Sequence, residues 1–245
     1  MRIDLERQTH AVEDWHWWYV GRRRVLRAVV REIAPPPGAQ ILDAGCGSGR
    51  NLVEFAEFGA VTGLEPAPES LALAKQRGVG TVVEGTLDEP LPFATGTFAL
   101  ATALDVIEHL DDDVGALREL RRVVAPDGRL LVTVPCYPWL WSSHDVVNQH
   151  RRRYTKRTLH RAAWLAGWEP VRTLHFNVLL LPLAAVARLL ERPRGGSEAV
   201  SDLERTPRVL NRVLREPLYA EAWLIARGLN PPAGLSLLCV MRPAG

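Results

Sequence analysis

QILDAGCGSGRN, residues 40–51, is the most informative run in this chain. Ile41 and Leu42 close a short apolar segment of the kind that forms a buried strand. Asp43 follows, then Gly45, Gly47 and Gly49 at alternate positions, with Cys46 between the first two. Leu52, Val53, Phe55 and Ala56 then open a helical pattern. Strand, glycine turn, helix is how a backbone makes room for a nucleotide-like ligand. Glycine permits the tight turn and lets the ligand approach the main chain with no Cβ in the way. The spacing is G-x-G-x-G with an acid two residues before the first glycine, not the G-x-G-x-x-G of dinucleotide sites.

Outward from this turn, strand-like and helix-like segments alternate, the sign of a parallel sheet with helices on both faces. Strands are expected at 40–43, 61–65, 80–84, 98–104, 129–134, 168–175 and 234–241. Helices are expected between them at 51–58, 68–76 and 114–124, with Asp111, Asp112 and Asp113 suited to the amino end of the last. Ala125-Pro126-Asp127-Gly128 reads as a turn. A further helix opens at Tyr154-Thr155, with Thr155 as N-cap and Gly167 as C-cap. Ahead of the sheet, residues 11–34 read as helical, broken near Gly21 and stopped by Pro35-Pro36-Pro37. Two apolar helices, roughly 177–191 and 207–227, lie between strands six and seven. Their linker, ERPRGGSEAVSDLE, is polar and glycine-containing, and a mobile cap is expected there. The organisation expected is one domain over residues 1–245: a helical lid (1–37), a ligand-binding core (38–175), a helical cap (176–230) and a final strand (231–245).

Composition narrows the function classes. The chain has 245 residues, 47% hydrophobic and 24% charged, with a formal net charge of only +2. These are globular values, and they give no global case for nucleic-acid binding. Lys75 and Lys156 are the only lysines among 30 basic residues, so 30 − 2 = 28 are arginine, which reads as genomic bias more than phosphate recognition. Three cysteines without paired spacing suggest a reducing compartment. Met1 begins a polar stretch, MRIDLERQTH, so no signal peptide is read there. The longest strictly apolar run, Val178–Ala187, falls short of the ~20 residues of a membrane span. A cytoplasmic location is the expectation.

Glu65 ends the second strand twenty residues after Gly45, where an acid can accept hydrogen bonds from both ribose hydroxyls. With Asp43, the glycines and LEPAPESLALAK (64–75), the chain resembles the class I S-adenosylmethionine-dependent methyltransferases, in the small-molecule branch like methyltransferase type 11. The resemblance implies a Rossmann-like α/β fold. Its open twisted sheet would have seven strands, the last antiparallel, with helices on both faces. The implied cofactor is S-adenosylmethionine, bound at Asp43, Gly45, Cys46, Gly47 and Gly49, with Glu65 and Pro66 at the ribose. EGTLDEPLPFATGTFALATALDVIEHL (84–110) is similar to the family's central stretch. It departs from it in having Thr86, not an acid, after Gly85, and Ala99 after Phe98. Thr86 and Leu87 are then expected near the adenine by backbone N–H and apolar contact, and Leu104 and Asp105 at the methionine end. EDWHWWYVGRRRVL (13–26) resembles an amino-terminal segment that folds over the cofactor in one branch. Tyr19 with Arg22 or Arg23 would close on the methionine carboxylate, since Arg suits bidentate carboxylate binding. Simple packing of that helix on the core is the equal alternative.

On the acceptor side, His109 follows the fourth strand, while His144 and His150 lie in WLWSSHDVVNQHRRRY (139–154), a loop on the sheet's carboxyl side. Each is a candidate base or orienting group, and His109 equally a structural one. No histidine or cysteine pair has the spacing of H-E-x-x-H or C-x-x-C, so no metal is expected. Arg151, Arg152 and Arg153 read as a solvated face more readily than as an anion site. The expected acceptor is a small molecule, with amphiphilic intermediates and a peripheral membrane contact among the options the aromatic loop and apolar cap suggest. An rRNA or tRNA methyltransferase and a non-catalytic cofactor-binding protein are the alternatives.

Overall fold

The computed structural model describes residues 3–178, 180–182, 185–186 and 207–245. Seven strands form one sheet: β1 (Gln40–Ala44), β2 (Ala60–Glu65), β3 (Thr81–Glu84), β4 (Phe98–Leu104), β5 (Val124–Pro135), β6 (Trp168–Phe176) and β7 (Ser236–Pro243). Their spatial order is β3-β2-β1-β4-β5-β7-β6. The β1–β2, β1–β4, β2–β3 and β4–β5 pairs are parallel, and β7 runs antiparallel between β5 and β6. The order reverses direction at β1 and β4, so a crevice opens beyond their carboxyl ends, where ligands bind in open α/β sheets.

Eight helices are labelled: α1 (Ile3–Val12), α2 (Trp17–Ile33), α3 (Arg50–Phe55), α4 (Pro68–Gln76), α5 (Asp113–Val123), α6 (Ser143–Val147), α7 (Lys156–Leu165) and α8 (Arg208–Ile225). Alternation along the buried strands divides the core by sheet face. Leu42, Ala101, Leu130 and Leu237 face α5 and α7. Ile41, Leu100, Leu131 and Leu238 face the layer containing α2, α3 and α8. Trp168 is fully buried and its indole N–H donates to the Leu117 carbonyl at 2.8 Å, tying α5 to β6.

Three expectations are corrected. The amino-terminal helix breaks not at Gly21 but at residues 13–16, where His16 caps α2. Gly21 lies inside α2 because a β-carbon there would come within 2.4 Å of Leu218 on α8. The glycine lets the two helices approach. Second, Ala125–Gly128 is not a turn ending a helix but a bulge in β5: Val124 pairs with Phe98 and Arg129 with Leu100, so four residues oppose Ala99 alone. Third, α8 is not only a cap. Ala222 and Ile225 are buried in the core with Leu26 and Leu174. The 192–204 linker and most of the helix expected before it lie outside the described residues. Among the described residues, no helix is long and apolar enough to cross a membrane.

Candidate active site

β1 delivers the chain into a turn whose start is pinned to β2: the amides of Gly45 and Cys46 both donate to the Leu64 carbonyl, at 2.8 and 3.0 Å. Gly45, Gly47 and Gly49 have φ of +76°, +56° and +75°, which side-chain-bearing residues rarely adopt. Their roles differ. A β-carbon at Gly45 would lie 2.6 Å from Val106, and one at Gly49 3.0 Å from Ala74, so both serve packing. At Gly47 nothing lies within 4 Å. That position faces open space beside Glu65, which a side chain would enter.

Glu65 forms the rim. Its carboxylate accepts from the Gly47 amide at 2.8 Å and the Ala67 amide at 2.9 Å. The buried acid is thus fixed by two backbone amides, one from the glycine turn and one just past the exposed Pro66. Beyond β3, Leu87 is buried and half-buried Thr86 exchanges hydrogen bonds with Asp88. Asp43 is buried, and Thr102 donates to one of its oxygens at 2.5 Å. The other oxygen has no hydrogen-bond partner among the described residues. Burial pushes this carboxyl up to about 6, against the opposing pull of the Thr102 hydrogen bond and Arg22. A buried acid with one oxygen unbonded among the described residues, beside an open glycine turn, fits a ligand that brings a cationic donor and approaches the main chain closely.

At the end of β4, buried Leu104 precedes Asp105, which takes φ +59°. Its amide donates to the Thr133 carbonyl at 2.9 Å, and the Thr133 hydroxyl donates to its carboxylate at 3.2 Å. Arg22 closes the group, 2.6 Å from the other Asp105 oxygen and 3.2 Å from the Thr133 hydroxyl. Strained backbone kept by this much bonding is the pattern of a ligand site. Tyr19 stands in the field of Arg22 and Asp105, and its hydroxyl donates to Thr9 at 3.3 Å. Arg23 turns elsewhere, donating to the Glu13 carbonyl at 2.6 Å and approaching Glu54 at 3.8 Å. Of the two arginines, the structure brings Arg22 to the site.

The amino-terminal segment is latched over the glycine turn. Glu13 accepts from the Ser48 hydroxyl and from Arg77, whose Nε also donates to the Ser48 carbonyl at 2.7 Å. Asp14 pairs with Arg50 at 2.6 Å, Arg7 pairs with Glu69, and His10 meets Ser70 at 3.1 Å. Sequence reasoning missed Glu13, Ser48 and Arg77 because their partners are far apart in the chain.

The histidines partly converge. The rings of His109 and His150 meet edge-on with centroids 4.8 Å apart, while exposed His144 is 6.3 Å from His150. His150 Nδ1 lies 2.9 Å from the carboxylate of fully buried Asp145. Hydrogen bonds from His150 and Arg153 hold that carboxyl well below the usual range, against its burial. Burial, then the neighbouring His150, push His109 down to about 4, so its imidazole is neutral at pH 7. Arg152 and Arg153 are engaged inside the protein, by the Leu110 and Cys136 carbonyls and by Asp113 and Asp145. Arg151 is the exposed member of the run.

A family described as a methyltransferase domain matches residues 42–132. The ubiquinone biosynthesis O-methyltransferase of Xanthomonas oryzae pv. oryzae is 30% identical over 144 residues, 54% of this chain and 60% of that protein. The demethylmenaquinone methyltransferase of Corynebacterium kroppenstedtii is 35% identical over 107 residues, 43% of this chain and 46% of that one. The chain thus spans about half to three fifths of the length of these relatives. A solved geranyl diphosphate methyltransferase with SAM matches with a TM-score of 0.60 at 16% identity, over 90% of this chain and 85% of that one. At that identity the likeness concerns the fold.

Proposed function

We propose that the chain is a class I S-adenosylmethionine-dependent methyltransferase and that it transfers a methyl group from S-adenosylmethionine to an oxygen or nitrogen of a small-molecule acceptor. The observation that carries this reading is the cradle: an open Gly47, a backbone-fixed Glu65 and an orphaned Asp43 around one turn. Glu65 would take the ribose hydroxyls, and Thr86 and Leu87 the adenine. Asp43, Tyr19, Arg22, Leu104 and Asp105 would hold the methionine end. When bound, the cofactor supplies a methyl on an already positive sulfonium, so charge is dispersed rather than created. Alignment and exclusion of water therefore carry most of the rate. The latch through Glu13 and Ser48 suits water exclusion. Where the acceptor must lose a proton, the candidates are His109, just past β4, with His150 and the more distant His144 in the loop after β5.

The names of both curated relatives denote methyl transfer to small molecules. An amphiphilic acceptor, or a shallow membrane contact, is supported by exposed Trp139 and Trp141 beside Tyr137, which stacks on His175. Three free, buried cysteines suit a cytoplasmic location. The test is incubation with methyl-labelled cofactor and extract of the producing cells. A labelled small molecule is the expected product. Label in RNA would overturn the acceptor class, and tight cofactor binding with no labelled product would favour a non-catalytic binding protein.

A further inference from the structure

Glu108 is fully buried, and neither of its carboxylate oxygens has a hydrogen-bond partner among the described residues. An acid kept in that condition is costly, and such groups need a reason. Two histidines converge on it: one ligand atom each from Glu108, His109 and His150 lie within 4.8 Å of one another. His150 is oriented from behind. Its Nδ1 meets Asp145 at 2.9 Å, and Asp145 is itself fixed by the Ser142 amide at 2.9 Å and Arg153 Nε at 2.7 Å. A carboxylate set behind one imidazole nitrogen is the arrangement that orients metal-binding histidines.

We propose that Glu108, His109 and His150 hold one divalent transition-metal ion, with Asp145 as the residue that orients His150. Two imidazole nitrogens and one carboxylate oxygen suit zinc, manganese, iron(II) or cobalt better than calcium or magnesium. Three protein ligands leave positions open, as in catalytic metal sites. This revises the expectation of no metal, which rests on ligand spacing within one short motif. Here two ligands follow β4 and the third comes 41 positions later (150 − 109) from another loop. Glu108 is three residues past Asp105, so the ion would adjoin the methionine end of the cleft. Resting on the methyl-transfer reading, its role is to take the acceptor's oxygen in an open position. A bound divalent ion lowers the pKa of a hydroxyl, and the released proton passes to solvent.

The test titrates chelator-treated protein with Co2+, whose visible bands report its ligand field. One Co2+ per chain is expected. Asp145→Asn should weaken binding about 10–100-fold, and Glu108→Gln, His109→Gln or His150→Gln by more than that. Thermal melts check folding, and half-buried His150 provides a variant with little risk to the core. Absent bands, or affinity unchanged across the variants, would overturn the site. Catechol added to the Co2+ form should shift the bands, and an unchanged spectrum would overturn the acceptor-oxygen role. Calorimetry with S-adenosylmethionine separates the two readings. Co2+ bound without cofactor affinity would sink methyl transfer and leave the metal site, whereas the reverse would sink the site alone.

Discussion

A β-carbon on Gly47 would meet no protein atom, whereas one on Gly45 would strike Val106. The two glycines should therefore fail differently. Gly47→Ala should keep the fold at a backbone cost of roughly 1–2 kcal/mol and lose most affinity for S-adenosylmethionine. Gly45→Ala should lose stability first. Calorimetry beside thermal melts separates them, and wild-type affinity in Gly47→Ala would remove the cradle from the site. Asp43 gives a pH prediction. Its folded carboxyl sits near 6, above the ordinary 3.8, because it is buried. The folded state thus holds a proton the unfolded chain has released, and stability falls as pH rises from about 4 to about 6. Arg22 and Thr102 oppose the shift and Glu65 adds to it. Asp43→Asn should flatten that slope, worth on the order of 2–3 kcal/mol, in urea unfolding at pH 4 and pH 7. A variant with the wild-type slope would mean that Asp43 ionises normally. Replacing His109 or His150 by Ala should lower turnover about 10²–10⁴-fold, with cofactor affinity nearly intact. Turnover within a few-fold in both would leave the histidines structural.

Between elements, the contact of α2 with α8 inverts a rule of helix propensity. Gly→Ala inside an exposed helix stabilises by roughly 0.5–1 kcal/mol. Gly21→Ala should instead destabilise by about 1–3 kcal/mol, since the methyl meets Leu218 at 2.4 Å. Adding Leu218→Ala should cost less than the sum of the two single changes, and simple additivity in melts would show the contact is not what matters. This case marks how far the sequence is legible. The strands are readable because buried parallel strands are apolar along their length, and Asp112 and Thr155 cap α5 and α7 as expected. A glycine in a helical run carries two meanings, break or close approach, and only the partner helix decides. The site divides in the same way. Glycines, Glu65 and Asp105 sit in one contiguous pattern. Choosing Arg22 over Arg23, or finding Glu108 beside His150, requires knowing which way adjacent side chains turn.

For the molecule as a whole, binding selective for the folded state adds about 2.7 kcal/mol at a ligand concentration of 100 Kd. For a chain of 245 residues that is a rise of roughly 5–11 °C in melting temperature. Scanning calorimetry with S-adenosylmethionine should find it, and no shift would mean that the folded chain does not bind the cofactor. Another consequence follows from the seat of β7 between β5 and β6. Among the described residues β6 pairs with no strand but β7, so residues 168–176 emerge from the ribosome with no edge to join until residues 236–243 arrive. The start of β7 lies 60 positions after the end of β6 (236 − 176), or roughly 3–12 s of synthesis at 5–20 residues per second. Throughout that interval the nascent chain carries an orphan strand, and β5 exposes an open flank that any passing polypeptide can pair with. Insertion of the late strand is thus the step at which sheet closure and the risk of misassembly coincide.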